Sequence, residues 1–283
     1  MKALPFFSFG IPLLLSPVLF AQQPAPAAPA GEKIELKDPS AAEEGKVKIE
    51  GGVDKAKLPD LPEAPPEVAR DLPGLEKLSD EQKRVLIAGM GEVSNYLRGV
   101  RWQEALEKLG ELETAVGDNH YIENLRGAVF TRMRNFDKAR AHFGKALELA
   151  KDLDAESFHP KFNLAELDFV SKKWDPAREA FQKLLKDPGK PGTGSDTLIN
   201  FKIMICDLQQ KKEADADLVL QTFDQYDAES PAFYYGHAVK LFVKDDKEGA
   251  NEWLESAKRI YPKEINEVYN DSLVEMGWLE TLQ

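Results

Sequence analysis

One pattern returns five times along this chain, and it limits the possible folds more than any other feature. The segments WQEALEKLGEL, FDKARAHFGKA, WDPAREAFQKL, EADADLVLQTF and KEGANEWLESA each carry a small residue followed four positions later by a large one. The small residues are Ala105, Ala139, Ala177, Ala216 and Ala250, spaced 34, 38, 39 and 34 residues apart. Offsets of four and seven place side chains on one face of an α-helix. One helix pair cannot bury its apolar faces alone, so recurrence at this period predicts stacked units sharing a continuous core. The four and five surplus residues in the middle intervals are expected in loops, at DLDAESFHP and DPGKPGTGS.

The second unit is the fullest, with Gly127, Phe130, Phe136, Ala139, Phe143 and Ala146. The third keeps Leu164, Ala165, Trp174, Ala177 and Phe181, with Asp168 and Leu184 departing from the pattern. The fifth has Ala238, Leu241, Ala250, Leu254, Ala257 and Pro262, and the first Tyr96, Trp102, Ala105 and Leu109. The fourth carries Met204 and Asp207 at its two helix-A positions. This set, over residues 82 to 262, resembles the tetratricopeptide repeat as found in secreted bacterial proteins. The resemblance implies an all-α fold: a right-handed α-solenoid of about five helix pairs over 79–262, closed by a C-terminal capping helix over 263–283.

Local signals mark helix starts. Ser79 with Gln82 three residues later reads as a capping box. Asp175-Pro176 and Ser230-Pro231 each read as N-cap followed by a proline at the first helical position. In the tail, Ile265, Val268, Ser272 and Met276 form a stripe expected to face the repeats, leaving Asn266, Asn270 and Asp271 to water. Gly277 suits a left-handed stop, with Trp278 folding back.

The opening residues MKALPFFSFGIPLLLSPVLFA read as a signal peptide over 1–21, with Lys2 ahead of an apolar run ending at Ala21. Pro5, Pro12 and Pro17 interrupt that run, so stable membrane insertion after cleavage is not expected, and no cysteine near the junction offers an acylation site. Residues 22–78 hold no aromatic side chain and nine of the eighteen prolines, a composition predicting a disordered linker. A net charge of −12 argues against sequence-independent nucleic-acid binding, which needs a basic surface. These features together predict a periplasmic or secreted protein.

Signals for catalysis are sparse. His120, His142, His159 and His237 form no close ligand pair, and one cysteine, Cys206, excludes an internal disulfide or cysteine-rich zinc spacing. No phosphate-binding glycine motif and no nucleophile elbow occurs, so no catalytic residue, cofactor or metal is assigned. The tetratricopeptide resemblance implies instead a concave groove lined by the first helix of each pair. For the third to fifth units the implied lining includes Phe162, Glu166, Phe169, Phe201, Ile205, Leu208, Tyr235, Val239 and Phe242. The family's clamp for C-terminal carboxylates is missing, since Met90 and Ser94 stand where it needs Lys and Asn. Three readings of the strip stand open: it binds a protein or peptide partner, it packs internally, or residues 22–78 occupy it. The functional expectation is a non-catalytic interaction scaffold of the bacterial envelope, with an outer-membrane assembly factor, an enzyme or a ligand carrier as alternatives.

Overall fold

The computed structural model describes residues 74–280 apart from Gly192, and these are all-helical, without a strand. The signal-peptide segment and all of the linker up to residue 73 lie outside the described residues, as do 281–283. The last five residues assigned to the linker belong to the fold. Leu75 is fully buried, and the chain turns through a Leu78 N–H to Leu75 carbonyl bond before the first helix.

Eleven helices follow among the described residues: α1 (Asp80–Arg98), α2 (Trp102–Val116), α3 (His120–Arg132), α4 (Phe136–Leu149), α5 (Asp154–Val170), α6 (Trp174–Leu184), α7 (Thr193–Gln209), α8 (Glu213–Leu220), α9 (Ala232–Val243), α10 (Lys247–Ile260) and α11 (Lys263–Glu275). Each odd helix from α1 to α9 packs on its successor; α2, α4 and α6 pack on the next odd helix, and α8 touches α9. Odd helices also meet along one side, in the pairs α1 with α3, α3 with α5 and α7 with α9. The capping box at Ser79 is present in full, both reciprocal bonds included.

The alanines explain how closely the paired helices approach. Ala105, Ala139, Ala177, Ala216 and Ala250 are all fully buried. Gly127 of α3 lies so near Phe143 of α4 that an added Cβ would stand 2.4 Å from the ring. Gly89 of α1 meets Leu112 of α2 at the same 2.4 Å. Any larger residue at either position would push the pair apart.

The turn between the paired helices repeats as strictly as the alanines. Val100, Arg134, Lys172, Lys211 and Asp245 each have a positive φ, between 58° and 61°. Each lies five residues before its repeat alanine. After each comes a residue whose N–H reaches back to a carbonyl five positions earlier: Arg101 to Tyr96, Asn135 to Phe130, Lys173 to Asp168, Lys212 to Asp207, Asp246 to Leu241, at 2.8–3.0 Å. This is the Schellman closure, built five times without glycine. Each non-glycine residue held there costs about 1 kcal/mol.

Of the two surplus segments, DLDAESFHP became mostly helix, while DPGKPGTGS stays non-helical through Pro191, as expected of a loop. α5 begins at Asp154, so DAESFHP forms its first turns with Pro160 inside, and α7 begins at Thr193. Both helices have 17 residues against 13 in α3 and 12 in α9. Burial of Phe158 and an acidic first turn at Asp154 and Glu156 favour the extension. Two helix starts also differ from expectation. The N-cap of α6 is Lys173, so Asp175 and Pro176 sit inside its first turn. At α9 the N-cap is Pro231, while the Ser230 hydroxyl accepts from the Ala232 N–H at 3.3 Å.

Ion pairs key successive units together. Just after the repeat alanine, Arg140 of α4 pairs with Asp168 of α5, and Arg178 of α6 with Asp207 of α7 at 2.5 Å. At the next joint the signs invert, with Asp217 of α8 paired to Lys240 of α9. The aspartates that depart from the repeat pattern are thus the partners of arginines in the preceding unit. The fourth unit is the weakest: α8 has only eight residues and leaves Leu218 and Tyr226 exposed.

Candidate ligand-binding face

Over α7 and α9 the side along which the odd helices meet is covered by α11, whose ion pairs reach as far as the C-terminal end of α3. From α9, Tyr235 donates its hydroxyl to the Asn266 carbonyl at 3.1 Å and to Asn270 Oδ1 at 2.9 Å. Tyr269 of α11 packs at a tilt against Phe201 of α7 and Tyr235, with centroids 5.0 and 5.2 Å apart, and its hydroxyl meets Ser230 at 2.7 Å. Further along, Lys202 of α7 donates to Ser272 Oγ at 2.9 Å and pairs with Glu166 of α5 at 2.7 Å. At the far end, Arg132 pairs with Asp271 at 3.2 Å and Arg134 with Glu275 at 2.7 Å. Gly277 takes the left-handed conformation at φ 73°, and Trp278 returns onto Phe242 of α9, ring on ring at 5.8 Å.

The orientation of α11 differs from the stripe read in its sequence. Asn266, Tyr269, Ser272 and Leu273 are buried, whereas Ile265, Val268 and Met276 are only half-buried. Asn266 is not left to water: its amide donates to the Tyr261 and Pro262 carbonyls at 2.9 and 3.0 Å. A buried amide is tolerated where its donors and acceptor are met, and here Tyr235 and the preceding turn meet them. Asp271 and Asn270 are half-buried, and burial raises the Asp271 carboxyl while Arg132 opposes it.

All nine residues expected to line an open strip are buried: Phe162, Glu166, Phe169, Phe201, Ile205, Leu208, Tyr235, Val239 and Phe242. They divide by what buries them. Phe162 and Phe169 point into their own pair, against Phe181 of α6 at 5.7 and 6.3 Å. Ile205, Leu208 and Val239 belong to the main apolar cluster. Phe201, Tyr235 and Phe242 lie beneath α11 or the turn after it, and Glu166 is held in the salt bridge with Lys202. Lys202 was missing from the expected set. Its signal was present, since it is the only charge between Asp196 and Asp207, inside an otherwise apolar run.

On α3 and the first half of α5 the same side is polar. The Tyr121 hydroxyl bonds the Glu156 carboxyl, whose proton affinity burial raises. Asn163 donates its amide to Asn124 Oδ1 at 2.9 Å. His159 is buried, and loss of hydration pushes its pKa down to about 4, so it is neutral at pH 7. Glu156 Oε2, His159 Nδ1 and Asn163 Oδ1 have no hydrogen-bond partner among the described residues. Offsets of three and seven put all three on one face of α5.

Other clusters reduce to structure. Oxygens of Glu113, Asp118 and Glu123 lie within 4.8 Å of one another. Their charge is met by Arg126, at 2.6 Å from Glu113 and 2.9 Å from Glu123, and by Lys145, at 3.0 Å from Asp118 and 3.2 Å from Glu123. His142 Nδ1 adds a 2.7 Å hydrogen-bond contact to Glu123. Cys206 is buried and its thiol pKa is pushed up to about 12, the opposite of what a nucleophile needs. No helix among the described residues is long and apolar enough to cross a membrane. Comparison with protein-family models, with curated proteins and with solved structures gives no match.

Proposed function

We propose that the chain is a right-handed α-solenoid of the tetratricopeptide type, acting as a non-catalytic scaffold whose concave face receives a helix or peptide of a partner protein. The observation that carries this reading is α11 itself, a helix bedded along the odd-helix face by alternating aromatic and charged contacts. A surface that seats one amphipathic helix has the chemistry to seat another. The five repeated turns and buried alanines support the repeat architecture. An exported, envelope location rests on residues 1–21 alone.

A photo-crosslinking amino acid at Met133 or Val243, exposed positions beside Arg132 and Phe242, tests the reading in cells. Both positions are expected to capture a protein partner, while Leu149, at the end of α4, is expected to capture none. Adducts from Leu149 only, or none at all, would overturn the use of this face.

A further inference from the structure

The geometry points to α11 as a resident stand-in: it occupies in cis a seat that an aromatic, acidic helix of a partner takes in trans. The inference rests on the scaffold reading above and specifies what the face selects.

Three observations carry it. The first is charge. In a chain of net −12, the cations Arg132 and Arg134 form a short row at one end of the seat and meet Asp271 and Glu275 of the seated helix, while Lys202, already paired with Glu166, donates to the Ser272 hydroxyl. That row selects a helix with carboxylates after its aromatic anchor and rejects a basic one. The second is the anchor. Tyr269 fills a cleft between Phe201 and Tyr235, and its hydroxyl finds Ser230, so the cleft fits a phenol better than an aliphatic side chain. The third is how α11 is held. Its buried face mixes Tyr269 and Leu273 with Asn266 and Ser272, and it meets α9 and α10 far less extensively than α9 and α10 meet each other. Polar contacts are near break-even against their alternatives, so lifting α11 forfeits chiefly the burial of Tyr269 and Leu273, which a partner helix repeating them would restore. The incoming helix is therefore defined by spacing: an aromatic phenol, a carboxylate two positions on, a small hydroxyl and a leucine three and four on, and a carboxylate six on, as in Tyr269, Asp271, Ser272, Leu273 and Glu275.

The test uses the full chain and a fluorescent peptide of residues 263–280 as the probe. Native-state hydrogen exchange on the unaltered protein comes first. The α11 amides are expected to exchange at least tenfold faster than those of α9 and α10. Exchange of α11 only with global unfolding overturns the proposal. Next, the Leu273→Ala chain is titrated with the peptide beside wild type, expecting at least tenfold tighter binding to the variant. The peptide carrying Asp271→Lys and Glu275→Lys is expected to lose at least tenfold in that affinity. Should Leu273→Ala fail to fold, Glu275→Lys in the full chain loosens only the half-buried end and serves in its place. Equal binding of the two peptides, or binding to neither chain, overturns the proposal. A concentration-dependent dimer of the loosened chain without peptide binding would assign the seat to exchange between copies and overturn it as well. Failure here with Met133 and Val243 still capturing a partner leaves the scaffold reading intact. The reverse result, peptide exchange without cellular capture, sinks the scaffold reading instead.

Discussion

The two ends of the odd-helix face solve burial in opposite ways. Over α7 and α9 it is aromatic, and Phe201, Tyr235 and Phe242 are covered by α11 and Trp278. Over α3 and the start of α5 it is polar, with Asn124, Glu156, His159 and Asn163 buried and three of their atoms unpartnered among the described residues. An apolar surface is stabilised by any cover that excludes water. A buried polar one is stabilised only by matched partners and costs about 1–3 kcal/mol for each group left unmatched. The aromatic end is therefore stabilised by water exclusion beneath α11, and the polar end by the matching of its own side chains.

The sharpest way to break this contrast is at the joint between the two ends. Arg178→Ala leaves Asp207, fully buried in α7, without its cation. A loss of about 3–5 kcal/mol is expected. In urea melts the transition should split, with α7 to α11 unfolding before α1 to α6. A single transition with unchanged midpoint would mean that the ends do not depend on this key.

Acid acts on the polar end. The His159 pKa falls from 6.5 to about 4 on folding, so the unfolded chain binds the proton more readily. Its contribution is fully present above pH 6.5 and is lost as pH falls from there toward 4, by about 3 kcal/mol. Burial raises the Glu156 carboxyl, whose contribution runs the other way and weakens as pH rises above the ordinary carboxylate range. His159→Gln is expected to flatten the fall below pH 6.5, measured by thermal melts across that range.

A smaller effect separates pairing from polarity. Asn163→Leu strands the Asn124 carbonyl and should cost about 1–3 kcal/mol, while changing both to leucine should recover most of that. A double variant as unstable as the single would show that the polar end needs more than its internal partners. The least effect is expected outside both regions. Val100 is β-branched, exposed and at φ 58°, so Val100→Gly should stabilise the chain by about 1 kcal/mol in the same melts.

Much of the helical framework is legible in the sequence because its cause is local. The alanines, the large residue four positions on and the Ser79 capping box depend on spacing alone. The turns are not legible. Three of the five turn residues are long cations (Arg134, Lys172 and Lys211), but Val100 and Asp245 fill the same place, and none is the glycine that usually marks a left-handed residue. Their conformation is imposed by the packing of the helices on either side. The orientation of α11 was hidden for a similar reason. Asn266 reads as a water-facing residue until Tyr235 and the Pro262 turn are in place, and those arrive from 31 and 4 residues away. The candidate face was only half legible. Its aromatic residues follow from position within the repeat, but their cover depends on a helix whose own pattern suggested another orientation.

The ion pairs from α11 to Arg132 and Arg134 join residues 139 and 141 positions apart. A stack whose units touch only their neighbours behaves as a spring, because small rotations at each joint add along its length. α11 ties the end of α3 and its following turn to α9. In the proposed solenoid, the seating of α11 would set pitch and stiffness as well as access, and a partner that lifts it would lengthen the molecule. Binding would then be felt as strain at the α3 end, far from the aromatic cleft where Tyr269 lies.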